Sequence, residues 1–178
     1  MFRRLAIAIA IAVLAAVPTA GLAADERVDL ALLDEPIAAG TFDWDGFYAG
    51  VYGVTESDAG GLQGGVGVNL GINSRLEFVL VGAEIAVHGV TDGAASGVSA
   101  QAIGRVGVAA TDEVVLFGAG GLGVDIGPAV GNTDVLVGGG VEFAVTDSVS
   151  LRGQYLREFD VGGANPADQI SLGANFHF

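Results

Sequence analysis

Cysteine and lysine are both missing from this chain, and methionine and tryptophan occur once each. Without cysteine, neither a disulfide framework nor a thiolate metal site can be built. Without lysine, the only basic residues besides histidine are Arg3, Arg4, Arg27, Arg75, Arg105, Arg152 and Arg157, set against 21 carboxylates for a formal net charge of -14. That balance excludes the basic footprint of a nucleic-acid-binding protein. Charge of either sign is scarce, at 16% of residues, yet the mean hydropathy is +0.58. Soluble domains are seldom so apolar and so acidic together. What the chain holds in quantity is glycine, with thirty among 178 residues, and aliphatic side chains. That length suits one domain with a sizeable interior.

Part of the hydropathy sits in "MFRRLAIAIAIAVLAAVPTAGLAADE", where Arg3 and Arg4 precede an apolar run from Leu5 to Val17 and a small-residue stretch near Ala24. This is the pattern of a secretory signal, expected over residues 1–24, and the run is short for a spanning helix. Removing its two arginines takes the net charge from -14 to -16. Residues 25–45 carry seven acidic residues and one arginine, which predicts a solvated acidic tail ahead of the folded domain.

From Gly46 onward the apolar residues alternate with glycine and polar residues, and helical spacing is hard to find. Eight strands are expected, near 46–55, 60–72, 75–89, 97–110, 114–125, 133–145, 149–159 and 168–178. Tight turns at "NSRL" from 73, "TDEV" from 111 and "TDSV" from 146 alternate with longer connections around 56–59, 90–96, 126–132 and 160–167. An even strand number, strands of about ten residues and short turns confined to one end predict an all-β fold: an eight-stranded antiparallel up-and-down transmembrane barrel over 46–178.

Register offers a stricter test, because a one-residue slip swaps the two faces of a strand. A turn centred on Asp147 pairs Glu142 with Arg152, Gly140 with Gln154 and Ala144 with Ser150. One centred on Asp112 pairs Arg105 with Ala119 and Gln101 with Gly123. One centred between Asn73 and Ser74 pairs Gln63 with Glu84 and Gly65 with Gly82. Each hairpin then sets a glycine-and-polar face against its like, while Val66, Val68, Leu70, Ile72, Leu116, Phe143 and Leu151 fall on the other face. An arginine on the lipid side at mid-bilayer costs roughly 2 to 4 kcal/mol, so Arg105 and Arg152 are expected in the lumen. There Glu84, Arg105, Glu142, Arg152 and Gln154 form a candidate polar network, structural rather than catalytic. Leu76, Phe78 and Leu80 share the inward parity of Glu84, which calls for a bulge or a place in the interfacial girdle.

"FDWDGFYAGVYGV", "AIGRVGVAATDEVVLFGAGGLGV" and "VGGGVEFAVTDSVSLRGQYLREFDVG" resemble the opening, middle and late hairpin motifs of the small OmpA/Opa-like outer-membrane β-barrel proteins, the porin family. The resemblance runs from Trp44 to Phe178, with Val108, Val149 and Gln154 standing where the family has aromatic or acidic residues. It implies residence in the outer membrane of a Gram-negative bacterium, contact with outer-membrane lipids and lipopolysaccharide, and a monomer. It also implies that Phe176 and Phe178 serve as a C-terminal signal for the barrel assembly machinery.

Other motifs carry less. "GAGGLG" at 118–123 matches a dinucleotide-binding fingerprint, but such a site needs a helix to start there, and the glycines suit a strand in a narrow lumen. Some eight-stranded outer-membrane barrels modify lipid A with a rim histidine and serine, which His88 with Ser96 or Ser99 imitates. His177 lies near the opposite end of its strand and cannot join His88. Glu56, Asp58, Asp92, Asp134, Asp160 and Asp168 read as solvated loop acids, or as ligands for divalent cations bridging to lipopolysaccharide phosphates, although no loop has calcium-binding spacing. No catalytic, cofactor or metal residue is therefore assigned. The expectation is a non-enzymatic envelope protein of structural or surface-interaction type, with a small passive channel and a lipid A-modifying enzyme as alternatives.

Overall fold

The structure, a computed structural model, describes residues 42–58, 61–93, 96–126, 133–162 and 166–178. The expected signal at 1–24 and the tail as far as residue 41 lie outside the described residues. Eight strands follow one another: β1 (Gly46–Asp58), β2 (Gly61–Leu76), β3 (Val79–Thr91), β4 (Ser96–Ala109), β5 (Val114–Asp125), β6 (Thr133–Ala144), β7 (Val149–Asp160) and β8 (Ala167–His177). Each pairs antiparallel with its sequence neighbours, and β1 closes the sheet on β8, with Tyr48 opposite His177 and Val54 opposite Ser171. Closure leaves no strand edge to be satisfied by solvent.

The faces are sorted as the alternation predicts. Val66, Val68, Ile85, Leu122, Ile170 and Leu172 are exposed on the outside, whereas Glu84, Gln101, Arg105, Glu142, Arg152 and Asn175 are buried inside. This is the inverse of a soluble barrel, and such an outer wall suits hydrocarbon. Strands of 11 to 16 residues exceed the tilted length a bilayer needs.

Two hairpin registers agree residue for residue with the sequence-based ones: Glu142 faces Arg152 and Gly140 faces Gln154, while Arg105 faces Ala119 and Gln101 faces Gly123. The first hairpin differs. Its turn is Glu77–Phe78 rather than Asn73–Ser74, so Glu84 faces Gly71, not Gln63, and Gly65 faces Val90, not Gly82. The displacement along the partner strand is even, so every side chain keeps its expected face. Asn-Ser is the better local turn, but pairing of β2 with β1 and of β3 with β4 outweighs it, and Glu77 takes φ +59° to close the loop. The β1–β2 connection is also shorter than expected, because the strands run on to Asp58 and Gly61.

Two further corrections concern the short-turn end. Phe42 and Trp44 are buried in the barrel mouth, so the folded unit begins ahead of Gly46 and takes in residues expected to belong to the 25–45 tail. No bulge is needed for β3 either: Leu76 faces outward, Phe78 is in the turn, and Leu80 points inward into a cluster with Phe42, Trp44, Val115 and Phe117. Leu80 broke the polar pattern of its face because two aromatic rings from the preceding segment cover it.

Candidate functional site: the filled lumen

Four of the five expected lumen residues meet. Inward positions on β3, β4, β6 and β7 at nearly one height bring Glu84, Arg105, Glu142 and Arg152 together in the lower half of the barrel. Glu142, with no exposed surface, accepts from Arg105 Nη2 at 2.7 Å and from Arg152 Nε at 3.0 Å. Arg152 Nη1 donates to Glu84. Two cations and two carboxylates cancel, as burial of charge requires. Each guanidinium also lies on an aromatic face, Arg105 at 4.1 Å from the Phe117 centroid and Arg152 at 5.0 Å from that of Tyr48.

Neutral groups satisfy what remains. Tyr48 donates its hydroxyl to Glu84 at 2.7 Å and accepts from Arg105 Nη1 at 3.0 Å. Asn69 bridges Glu84 and Asn175, whose amide donates to Glu142 at 2.9 Å. Ser150 donates to Glu142 at 2.6 Å. A side chain on Gly71 would overlap the Tyr48 ring, so glycine there is the space in which that ring lies. Gln154 makes no hydrogen bond to the four charged residues and lines a cavity above them. Sequence inspection missed Tyr48, Asn69, Ser150 and Asn175. Inward parity marks all four, but parity does not say which residues of non-adjacent strands converge.

His177 stays apart from His88, as expected, and has partners of its own. Its Nε2 lies 3.0 Å from Ser150 Oγ and 3.5 Å from Glu142, and its ring packs against Phe42, Trp44 and Tyr48. Trp44 Nε1 donates to the Asp112 carbonyl at 3.1 Å, tying this aromatic plug to the β4–β5 turn. Serine, histidine and glutamate here do not form a hydrolytic triad. One ring nitrogen, Nε2, faces both partners, Nδ1 has none, and the plug covers the group.

At the other end, Glu56, His88 and Tyr52 form a chain, with Nε2–Oε1 at 2.7 Å and Nδ1–Oη at 3.1 Å. Both nitrogens of His88 are thus engaged. Ser99 stands opposite His88 in register but its hydroxyl turns to the Val124 carbonyl, and that of Ser96 turns to Thr91. The imitated histidine–serine pair is not assembled. Across the lumen Gln101 bonds Gln169 at 3.2 Å and Glu158 at 3.3 Å. The "GAGGLG" stretch lies wholly within β5, with no helix starting there. On the outer wall near this rim Arg157 pairs with Asp168 at 2.6 Å, joined by the Tyr155 hydroxyl. Phe47, Phe176 and Phe178 stack on the outside of the short-turn rim.

No protein-family profile and no curated protein matches the sequence. Solved structures do. Neisserial surface protein A (NspA) aligns with a TM-score of 0.53 at 15% identity, over 74% of this chain and 97% of its own. Ail, the attachment invasion locus protein of Yersinia pestis, solved with the heparin analogue sucrose octasulfate, aligns at 0.53 and 13%, over 74% and 96%. A transmembrane β-barrel designed de novo aligns at 0.50 and 11%, over 74% and 95%. At such identities the likeness is one of fold, and the chain has the fold of the small eight-stranded outer-membrane β-barrels.

Proposed function

We propose that this chain is a non-enzymatic integral outer-membrane barrel with a structural or surface-interaction role in a Gram-negative envelope. The observation that carries the reading is a lumen closed three times over beneath an apolar outer wall. The Phe42–Trp44 plug, the Glu84–Arg152–Glu142–Arg105 network and the Gln101–Gln169 bridge each cross it. A filled lumen disfavours a passive channel, and neither serine–histidine pairing is set for nucleophilic attack.

The outer wall meets membrane lipid and, at the rim, lipopolysaccharide. Phe176 and Phe178, exposed at the short-turn rim, are the surface that the barrel assembly machinery reads during insertion. The sulfated ligand on Ail does not transfer to this chain, because the long connections hold no lysine or arginine and Arg157 is already paired.

Membrane fractionation with heated and unheated gel mobility, followed by planar-bilayer recording, tests the proposal. Expected are a heat-shifted band in the outer-membrane fraction and no conductance steps above baseline. A periplasmic, heat-insensitive band would remove the membrane assignment, and steady ohmic steps would replace the structural role with a channel.

A further inference from the structure

One sector of the outer wall breaks the apolar pattern. Toward the long connections, the outward positions are Tyr155 and Arg157 on β7, Asp168 on β8, and Thr55 and Ser57 on β1. These strands are neighbours, so the polar groups are contiguous, with Arg157 opposite Asp168 and Asp168 opposite Ser57. Arg157 Nη1 donates to Asp168 at 2.6 Å and the Tyr155 hydroxyl to the same carboxylate at 2.5 Å. Both charged side chains are more than a third exposed.

Their height on the cylinder sets them apart. A register row that leaves β1 at Gly46 passes Arg105 and Gly138 and returns to β1 at Glu56, ten residues nearer the long connections. Each step to the next strand therefore climbs about 1.25 residues. On that scale Arg157 and Asp168 both stand between the levels of Leu122 and Val124 on β5, which are exposed and apolar. From Ile170, the last apolar outward residue of β8, to Val124 the step is roughly two residues, about 5 Å along the axis. At the short-turn end no such step exists, because Phe178 on β8 and Val108 on β4 are both exposed near one level. Tilting the cylinder would thus mend one end by spoiling the other.

We propose that the β7–β8–β1 sector is a seat for lipid headgroups and their water, which come down to Arg157, Asp168 and Thr55 and thin the membrane on that side of the barrel alone. A bilayer meets a short apolar stretch by thinning beside it, and charged groups at bilayer depth draw polar matter in. The inference rests on the membrane reading given above.

The chain has no cysteine, so an introduced thiol carries a unique spin label. Ile170→Cys and Leu122→Cys put nitroxides at nearly equal height, at positions about half exposed, on different sides of the full barrel refolded into dimyristoylphosphatidylcholine vesicles. Power saturation with oxygen and with a water-soluble nickel chelate then reads the depth of each. Expected is several-fold greater nickel access at 170 than at 122, with most of that gap removed by Arg157→Leu combined with Asp168→Leu. Heat-shifted mobility shows that each variant is folded. If the leucine pair fails to refold, Arg157→Gln with Asp168→Asn removes the charges at similar shape and should narrow the gap in the same direction. Equal nickel access at the two labels overturns the proposal, as does an undiminished gap in a folded, uncharged variant. Nickel-rich, oxygen-poor readings at both labels would remove the membrane reading, and this inference with it.

Discussion

The two ends of the lumen treat charge in opposite ways. Near the short turns, two arginines and two glutamates cancel, are sealed from water by Phe42 and Trp44, and spend their hydrogen bonds on one another. Toward the long connections, Glu56, Asp125, Asp134 and Glu158 share the inward parity, and no arginine of the described residues joins them on that face. Glu56 is partly exposed even where it meets His88. Burial makes the difference: a charge removed from water needs a partner, whereas a solvated carboxylate does not. The lower half is therefore where the buried charge contributes most to stability.

Breaking that contrast begins with the carboxylates. Glu142→Ala leaves buried Arg105 without a carboxylate and Arg152 with Glu84 alone, and is expected to cost about 3–5 kcal/mol, whereas Glu56→Ala, which takes the acceptor from the buried His88 Nε2 only, costs about 1–2 kcal/mol. Urea titration of the refolded barrel, followed by gel mobility, checks both, and equal losses would erase the distinction between the ends. Trp44→Ala opens the plug and should cost about 3 kcal/mol in the same assay. In the unaltered protein the sole tryptophan should emit at short wavelength and shift red on unfolding.

Glycines sharpen the comparison across the wall. Gly71→Ala, inside against Tyr48, should destabilise by about 1–3 kcal/mol. Gly104→Ala, outside with its nearest foreign atom at 3.7 Å, should change stability by less than about 0.5 kcal/mol. Smallest in structural reach is Glu77→Gly, which relieves the positive φ of the first short turn and should stabilise by about 1 kcal/mol. A loss there would mean that the Arg75 Nε bond to the Glu77 carbonyl depends on the side chain it replaces.

Much of this architecture was legible from letters alone. Strand number, the inward place of Arg105 and Arg152, and two hairpin registers follow from alternation and, in the last tight hairpin, from Glu142 set opposite Arg152. The first hairpin was misplaced because Asn73–Ser74 is an attractive turn and nothing local reveals that Asn73 belongs in the lumen opposite Gly82. The plug was missed because Phe42 and Trp44 precede the alternating pattern and sit among acids. Leu80 did leave a trace as an apolar residue on a polar face, which is what a covering ring produces.

By itself the sequence determined parity. A period of two sorts every side chain to one of two faces, and arginine cannot face hydrocarbon at low cost, so inside and outside were settled before folding. Only closure of the sheet decided who meets whom. Tyr48, Glu84, Arg105, Glu142 and Arg152 come from five strands, and their contacts depend on the stagger and width of the cylinder, properties of the whole ring that no single strand encodes.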